Sequence, residues 1–291
     1  MKKVYSLAAV TVLIWSTSAT VSKLLLGSLD SIQVLCISSL FASAFWLAAN
    51  ILNGNIQKLK TYKVRDYFLT MGIGLTGTFF YYLLLYTGMD MMMASQALII
   101  NYLWPIMSVV FACLLLKEKM TVRKGIAIVM SFLGVIIVVG RDLTHFNSST
   151  LLGAGCCILA AMSYGVFTAL NQKSGYDKRV SMMIFSLVTF VLTGIILVVT
   201  DSVPRLDLVQ TLGMAYNGIF NLAIATTTWA LALESGKTAK ISNLAYITPF
   251  LSLVWTAIFL KEPISIYSIL GLVVIVLGIF IQLDLRHRES I

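Results

Sequence analysis

Long apolar stretches follow one another along almost the whole chain and are separated only by short connections. An α-helix needs about 20 consecutive apolar residues to cross the hydrocarbon core of a bilayer. Stretches of that length lie near residues 4–26, 31–53, 66–88, 92–116, 121–140, 150–172, 180–200, 209–233, 238–260 and 265–284. The sequence therefore predicts an all-α integral membrane protein with ten transmembrane helices.

The composition also indicates a surface that faces lipid. Charged residues make up 11% of the chain, whereas a soluble domain carries roughly a quarter charged residues. The formal net charge of +9 does not indicate nucleic-acid binding, because the basic residues lie in short gaps between apolar stretches rather than along one exposed face. We therefore expect a lipid bilayer around the protein and no nucleic-acid partner.

The distribution of Lys and Arg predicts how the chain crosses the membrane. The first apolar stretch runs to Leu26, longer than the roughly 7–15 residues of a signal-peptide core, so it is interpreted as a retained first helix. With the N-terminus inside, only Lys23, Arg141, Arg205 and Lys261 of the 21 basic residues fall on the outer side. Because basic residues are retained in the cytoplasm, we expect a multi-pass protein of the cell (inner) membrane with cytoplasmic N- and C-termini.

The chain also repeats itself. A shift of 144 residues places Tyr102, Pro105, Ser108, Leu116, Lys117, Glu118, Leu133 and Gly134 on Tyr246, Pro249, Ser252, Leu260, Lys261, Glu262, Leu277 and Gly278 without a gap. Five helices are an odd number, so the second copy crosses the membrane in the opposite direction. The basic Lys124 of the first copy is accordingly replaced by Ser268 in the second. The sequence thus predicts two inverted five-helix repeats, residues 1–143 and residues 144–291.

Two prolines occupy corresponding positions in the fourth and ninth predicted helices. Pro105 and Pro249 each remove one backbone hydrogen bond and clash with the carbonyl four residues before them. A matched pair of broken helices in the two halves is the best sequence indication of the central site of a transporter. The alternative is a pair of packing kinks, because proline is common in transmembrane helices.

Aromatic and polar side chains are predicted at membrane depth near these prolines. The aromatic ones could line a cavity for an apolar or aromatic solute, although each alone is more often part of the packed core. They are Trp15, Tyr82, Tyr86, Trp104, Tyr164 and Trp229. The polar ones, which could equally form hydrogen bonds between helices, are Asn101, Asn217, Asn221, Thr226, Thr227, Thr228, Asn243 and Thr248. Lys23, towards the outer end of the first helix, either extends to the interface or attracts a carboxylate at the outer mouth.

The residue patterns needed for metal or nucleotide chemistry are missing. The two histidines, His145 and His287, fall in a loop and a tail, and the four cysteines lie inside apolar stretches. Gly236-Lys237-Thr238 resembles the end of a phosphate-binding loop, but Leu231 stands where that loop requires an earlier glycine. We therefore expect no metal, no cofactor, no nucleotide and no enzymatic activity.

The whole chain resembles the EamA-like branch of the drug/metabolite transporter (DMT) superfamily, in its ten-helix inverted repeat and in Lys117-Glu118 and Lys261-Glu262 at equivalent turns. Three segments are similar to bacterial aromatic amino-acid exporters. They are Leu13-Ile14-Trp15-Ser16-Thr17 with Lys23, Asn101-Tyr102-Leu103-Trp104-Pro105, and Tyr246-Ile247-Thr248-Pro249. In that group Arg usually stands in place of Lys23 and Trp in place of Tyr164.

The resemblance implies a solute exporter whose central cavity opens alternately to each side of the membrane. The substrate-binding residues implied are Trp15, Tyr82, Asn101, Tyr102, Trp104, Tyr164, Trp229 and Tyr246, with kinks at Pro105 and Pro249. It implies a small-molecule substrate, with aromatic amino acids favoured. We also expect a monomer or homodimer. The alternatives are an exporter of the same fold for another metabolite or a drug, a membrane enzyme, and a non-transporting scaffold.

Overall fold

A computed structural model describes residues 2–143, 148–228, 244 and 247–282. Its helices, numbered in chain order, are α1 (Lys2–Leu26), α2 (Ser31–Leu52), α3 (Val64–Met91), α4 (Ala94–Leu115), α5 (Val122–Leu143), α6 (Ser148–Lys173), α7 (Lys178–Val199), α8 (Leu208–Ala215, continuing as Tyr216–Ala225), α9 (Thr248–Leu260) and α10 (Ile266–Gln282). A short 3₁₀ helix, Asn55–Thr61, joins α2 to α3. The described residues contain no strand.

The prediction of an all-α membrane architecture is confirmed. Seven helices among the described residues, α1 to α7, are long and apolar enough to cross a membrane, and α9 and α10 are shorter apolar helices. The count of ten transmembrane helices stays a prediction. Large apolar side chains such as Leu114, Ile136 and Val191 are exposed on the outside of the bundle, as expected of a surface that faces lipid.

Helices that correspond under the 144-residue shift pack in the same way in the two halves. Helices α2 and α7 pack together, as do α5 and α10, while α1 packs on α8 and α9 and α6 packs on α3 and α4. The crossing of α5 and α10 shows the equivalence in detail. A Cβ on Gly134 would lie 2.7 Å from the carbonyl oxygen of Gly271, and a Cβ on Gly278 would lie 3.0 Å from that of Ala127. Such backbone contact requires glycine, because any side chain would hold the helices apart.

The first helices of the two halves run in opposite directions. Lys23, near the end of α1, reaches the carbonyls at the end of α3, and Ser149, at the start of α6, also donates to the carbonyl of Met91 there. We call this end of the bundle the Lys23 end, and the opposite end, where the 3₁₀ helix lies, the Lys58 end. The boundaries of the two inverted repeats, 1–143 and 144–291, and the assignment of the Lys58 end to the cytoplasm stay predictions.

Three of these helices are irregular in their middle sections. Helix α3 contains a π-helical segment, Leu75–Phe80, and α8 contains another, Tyr216–Ala225. Helix α4 is interrupted at Tyr102 and Leu103, which form a turn between two helical segments. Irregular turns of this kind change the direction of side chains and are frequent at functional sites.

Candidate functional site

A cavity of about 80 Å³ lies in the bundle between these irregular helices, and residues from both halves of the chain line it. Its described lining consists of Trp15, Ser18, Tyr81, Tyr82, Leu85, Met89, Leu98, Asn101, Tyr102, Trp104, Tyr164, Asn221, Thr226 and Thr248. None of these side chains is charged. The described residues also contain no group of three or more His, Cys, Asp or Glu that could hold a metal ion.

The structure brings most of the predicted substrate-binding residues to this one cavity. Those that line it are Trp15, Tyr82, Asn101, Tyr102, Trp104 and Tyr164. The other two, Trp229 and Tyr246, lie outside the described residues. Tyr86, also considered from the sequence, is 1% exposed and packs in the hydrophobic core rather than among the lining residues.

Aromatic rings form one wall of the cavity. The ring of Tyr81 lies 4.7 Å, centroid to centroid, from each of the rings of Tyr82 and Tyr164. Trp104 meets Tyr164 edge-on at 5.3 Å. Because these distances are those of favourable aromatic pairs, the rings support one another and present a stable apolar surface.

Asn101 brings an unpaired polar group to this wall. Its side chain is 4% exposed, and its Nδ2 donates to the hydroxyl of Tyr81 at 3.0 Å, while its Oδ1 has no hydrogen-bond partner. Pro105, four residues later, has no N–H, so the carbonyl of Asn101 also lacks its usual helical donor. The interruption of α4 therefore leaves Asn101 with acceptors available to a ligand.

Two further unpaired oxygens line the cavity from the second half of the chain. Asn221, in the π-helical segment of α8, donates to Asn217 at 2.8 Å, and Asn217 in turn donates to Ser22 at 3.0 Å. The Oδ1 of Asn221 and the Oγ1 of Thr248 are buried without a partner. Leaving a buried polar group unpaired costs about 1–3 kcal/mol, so three such atoms around one cavity indicate a site that takes a hydrogen-bonding occupant.

The two prolines lie next to the cavity without lining it in the described structure. Pro105 stands at the second position of the helical segment Trp104–Leu115, and Pro249 at the second position of the segment that begins at Thr248. Proline is favourable at the start of a helix, where its missing N–H has no intrahelical acceptor. Each proline thus stands in the first turn of a helical segment, directly after a residue that lines the cavity, Trp104 or Thr248.

Lys23 does not line the cavity but holds the turn between α3 and α4. Its Nζ donates to the carbonyls of Met89 and Met92, the latter at 3.0 Å. Across the same turn, the carboxylate of Glu262 accepts hydrogen bonds from the N–H groups of Ala94, at 2.7 Å, and Ser95, at 2.9 Å. The cation thus binds the negative end of one helix dipole and the anion binds the positive end of the next. We call Lys23 and Glu262 together the α3–α4 clamp.

The equivalent glutamate of the first half makes a different contact. Glu118 and Glu262 both follow a lysine in the left-handed conformation, with φ of 59° at Lys117 and 57° at Lys261. The carboxylate of Glu118, however, forms an ion pair with Lys124 at 3.1 Å. Ser268 stands at the position of Lys124 in the second half, so no lysine at that position competes with the N–H groups of Ala94 and Ser95 for the carboxylate of Glu262.

Sequence reasoning missed Ser18, Tyr81 and the π-helical segments, and it left Asn221 and Thr248 without a defined role. Regular helical periodicity places consecutive residues about 100° apart, which gives no reason to place Tyr81 and Tyr82 on one cavity. Both residues directly follow the π-helical segment of α3. No pattern in the sequence predicts that π-helical segment.

The apolar helices and the central cavity, whose described lining carries no charge, are those of a multi-pass helical membrane protein. The model of the EamA-like transporter family matches residues 2–140 and again residues 151–283. The chain belongs to the EamA-like transporter family, as the sequence predicted.

Relatives of the chain carry transporter names. The "Uncharacterized transporter YoaV" of Bacillus subtilis (strain 168) is 26% identical over 81% of this chain and 80% of its own length. An "Uncharacterized transporter" of Clostridium kluyveri is 25% identical over 100% of this chain and 96% of its own length. "Protein PecM" of Dickeya dadantii (strain 3937) is 22% identical over 64% of each chain.

A solved crystal structure has the same fold. It covers 100% of both chains with a TM-score of 0.70 and 20% sequence identity. At that identity the likeness supports the fold alone.

Proposed function

We propose that this protein is a secondary transporter that exports small metabolites, with aromatic amino acids as favoured substrates, by alternating access through the central cavity. The observation that carries the proposal is the composition of that cavity. Aromatic rings and three unpaired buried oxygens surround it, and its described lining contains no charge. Such a site suits a solute with an aromatic part and hydrogen-bond donors.

We infer that different parts of such a solute would contact different groups of the cavity. The faces of Tyr82, Trp104 and Tyr164 pack against an aromatic side chain and attract an ammonium group through cation–π interaction. The unpaired oxygens of Asn101 and Asn221 accept hydrogen bonds from the same ammonium, which removes their own desolvation penalty. A purely aliphatic solute without donors would leave these oxygens unpaired.

The size of the cavity requires movement during transport. Sites for small molecules typically occupy about 300–1,000 Å³, whereas this cavity measures about 80 Å³. A substrate therefore enters only when the helices around the cavity separate. The α3–α4 clamp ties α1 and the connection after α9 to the turn between α3 and α4 at the Lys23 end, so we expect opening at that end to require release of Lys23 or Glu262.

Export of another metabolite by the same fold is the main alternative. Substrates without an aromatic ring would use the same oxygens but would gain little from the wall formed by Tyr81, Tyr82 and Tyr164. A panel of substrates decides between the two. A scaffold that binds no small molecule would leave the unpaired cavity oxygens without a use.

Counterflow in proteoliposomes tests the proposal. The purified protein is reconstituted into vesicles loaded with one unlabelled amino acid, and the same amino acid in labelled form is added outside. We expect vesicles loaded with phenylalanine, tyrosine or tryptophan to accumulate their label. We expect vesicles loaded with leucine or glutamate to accumulate less of theirs. Trp104→Ala is expected to weaken exchange about tenfold or more, because it removes a large, partly buried aromatic surface from the cavity wall. The matched control is Phe132→Ala, which truncates an exposed ring on α5.

Two outcomes would contradict this assignment. Exchange of leucine that equals exchange of tryptophan would refute the preference for aromatic substrates. Absence of exchange for every amino acid, in vesicles where the protein is folded, would refute amino-acid export by this cavity.

A further inference from the structure

A second cavity, of about 390 Å³, opens at the Lys58 end of the bundle, away from the central cavity. It lies between the 3₁₀ helix that follows α2 and the connection from α6 to α7. Its described lining consists of Asn55, Lys58, Tyr176, Asp177, Lys178 and Arg179. Three of these side chains are cationic and one is anionic.

The one carboxylate in this lining is already satisfied. Asp177 accepts a hydrogen bond from Lys58 at 2.6 Å and from the N–H groups of Arg179 and Val180 at 3.0 and 3.1 Å. Partial burial raises the pKa of the Asp177 carboxyl, but these hydrogen bonds outweigh burial and hold the pKa below its ordinary value. Asp177 therefore stays ionised, neutralises Lys58 and begins α7, which leaves the charges of Lys178 and Arg179 uncompensated.

Arg179, Lys178 and Asn55 bring hydrogen-bond donors to the lining, while the hydroxyl of Tyr176 donates to the carboxylate of Asp66 at 2.9 Å. The side chain of Arg179 is exposed, and its guanidinium makes no ion pair with the described residues. Lys178 donates to the carbonyl and side-chain oxygens of Asn171, which are uncharged acceptors. The Nδ2 of Asn55 is buried and has no hydrogen-bond partner. Two cations and an unpaired amide donor around one cavity favour an anionic acceptor.

The surroundings of this cavity are those of a membrane surface. The ends of the helices that adjoin the 3₁₀ helix expose large apolar side chains, with Leu52 at the end of α2 86% exposed and Val64 at the start of α3 73% exposed. An occupant with a phosphate head and acyl chains would place the head among the cations and its chains along the bundle. Basic pockets between helix ends bind anionic lipid head groups in this way.

We propose that this cavity binds the phosphate group of an anionic phospholipid, with the guanidinium of Arg179 and the ammonium of Lys178 on the phosphate oxygens and the Asn55 amide as a further donor. The site is separate from the central cavity and does not depend on the transported substrate. By joining the connection after α2 to the start of α7, the lipid would strengthen the contact between these two packed helices.

Thermal unfolding of the detergent-solubilised protein tests the proposal. Titration with phosphatidylglycerol is expected to raise the melting temperature with saturation, whereas phosphatidylcholine with the same acyl chains is expected to have no saturable effect. A third titration with inorganic phosphate distinguishes a lipid phosphate from free phosphate as the ligand. If phosphate alone stabilises the protein as well as the lipid does, the lipid assignment is overturned.

Two matched variants test the residues. Arg179→Gln is expected to weaken the apparent affinity for phosphatidylglycerol about tenfold, because it removes a charge-assisted hydrogen bond to phosphate. Lys173→Gln removes one exposed positive charge nearby, at the end of α6, from a residue that is not among the lining residues, and is expected to change the affinity less than twofold. Equal losses in both variants would show non-specific charge attraction and overturn the proposed site. Native mass spectrometry of the same samples counts the retained lipid independently of stability.

Discussion

Neutralising Glu262 tests whether the α3–α4 clamp closes the Lys23 end. In Glu262→Gln, one neutral amide oxygen replaces the carboxylate that accepts from Ala94 and Ser95. A hydrogen bond to a charged group contributes about 1.5–3 kcal/mol and a neutral one about 0.5–1.5 kcal/mol. Because Glu262 is partly exposed, solvent screening reduces the loss, and about 1–2 kcal/mol remains. That loss shifts the equilibrium between closed and open forms by about 5- to 30-fold.

Thiol labelling in vesicles measures this shift. A cysteine introduced at Ser18, which lines the central cavity, reports access in a background without Cys36, Cys113, Cys156 and Cys157. A membrane-impermeant reagent applied from the Lys23 side is expected to label the Glu262→Gln variant about 5- to 30-fold faster than the parent. The melting temperature, measured in parallel, separates opening of the mouth from general unfolding.

The repeat-equivalent glutamate provides the control. Glu118→Gln removes the same charge, but the carboxylate of Glu118 pairs with Lys124 and not with a helix N-terminus at the Lys23 end. We expect this variant to label at the parental rate from that side. Equal labelling of Glu262→Gln and its parent would refute the reasoning, as would equal acceleration by both variants.

Three further predictions concern other parts of the bundle. Asn101→Leu is expected to leave the protein folded but to weaken binding of aromatic amino acids about tenfold, measured by counterflow, because the hydrogen-bonding groups of Asn101 are lost; unchanged affinity would remove Asn101 from the site. Gly134→Ala is expected to lower the melting temperature, since its Cβ would lie 2.7 Å from a backbone oxygen of α10 and overpacking costs about 1–3 kcal/mol. Gly125→Ala, whose Cβ would have no atom within 4 Å, is expected to leave the melting temperature unchanged. The pKa of Asp177 is lowered by Lys58 and two N–H groups despite partial burial. The melting-temperature difference between the parent and Asp177→Asn is therefore expected to be constant above about pH 4 and to disappear as the pH falls through the lowered pKa. A difference that disappears near neutral pH would contradict this.

Several of the cavity residues could be found from the sequence because a local pattern marked them. The proline at position 105 and the matching one at 249 indicated where helices break, and Asn101, Tyr102 and Trp104 lie within four residues of the first. Trp15 and Tyr164 were found by chemistry, as aromatic residues too deep in an apolar stretch for an interface. The convergence of these residues on one cavity could not be read from the pattern, because it depends on which helices pack together.

The role of Lys23 could not be decided from the sequence either. Its position near the end of α1 fits both an interfacial lysine and a charge at a substrate entrance. The structure shows its ammonium on the carbonyls of Met89 and Met92, which lie 66 and 69 residues away in the chain. Its binding partners belong to another helix end, which only the packing of α1 against α3 brings within reach.

The sequence by itself determined the helical membrane class, the family, the region where α4 is interrupted and the region where α9 begins. These follow from the length of apolar stretches, from the family pattern and from proline chemistry, all of which are local or additive along the chain. The tertiary structure decided the grouping of Asn101, Asn221 and Thr248 around one cavity, the π-helical turns that orient Tyr81 and Tyr82, and the bond of Glu262 to a helix 167 residues away. Those features depend on how helices distant in the chain pack together, and that packing produces no periodic pattern in the sequence.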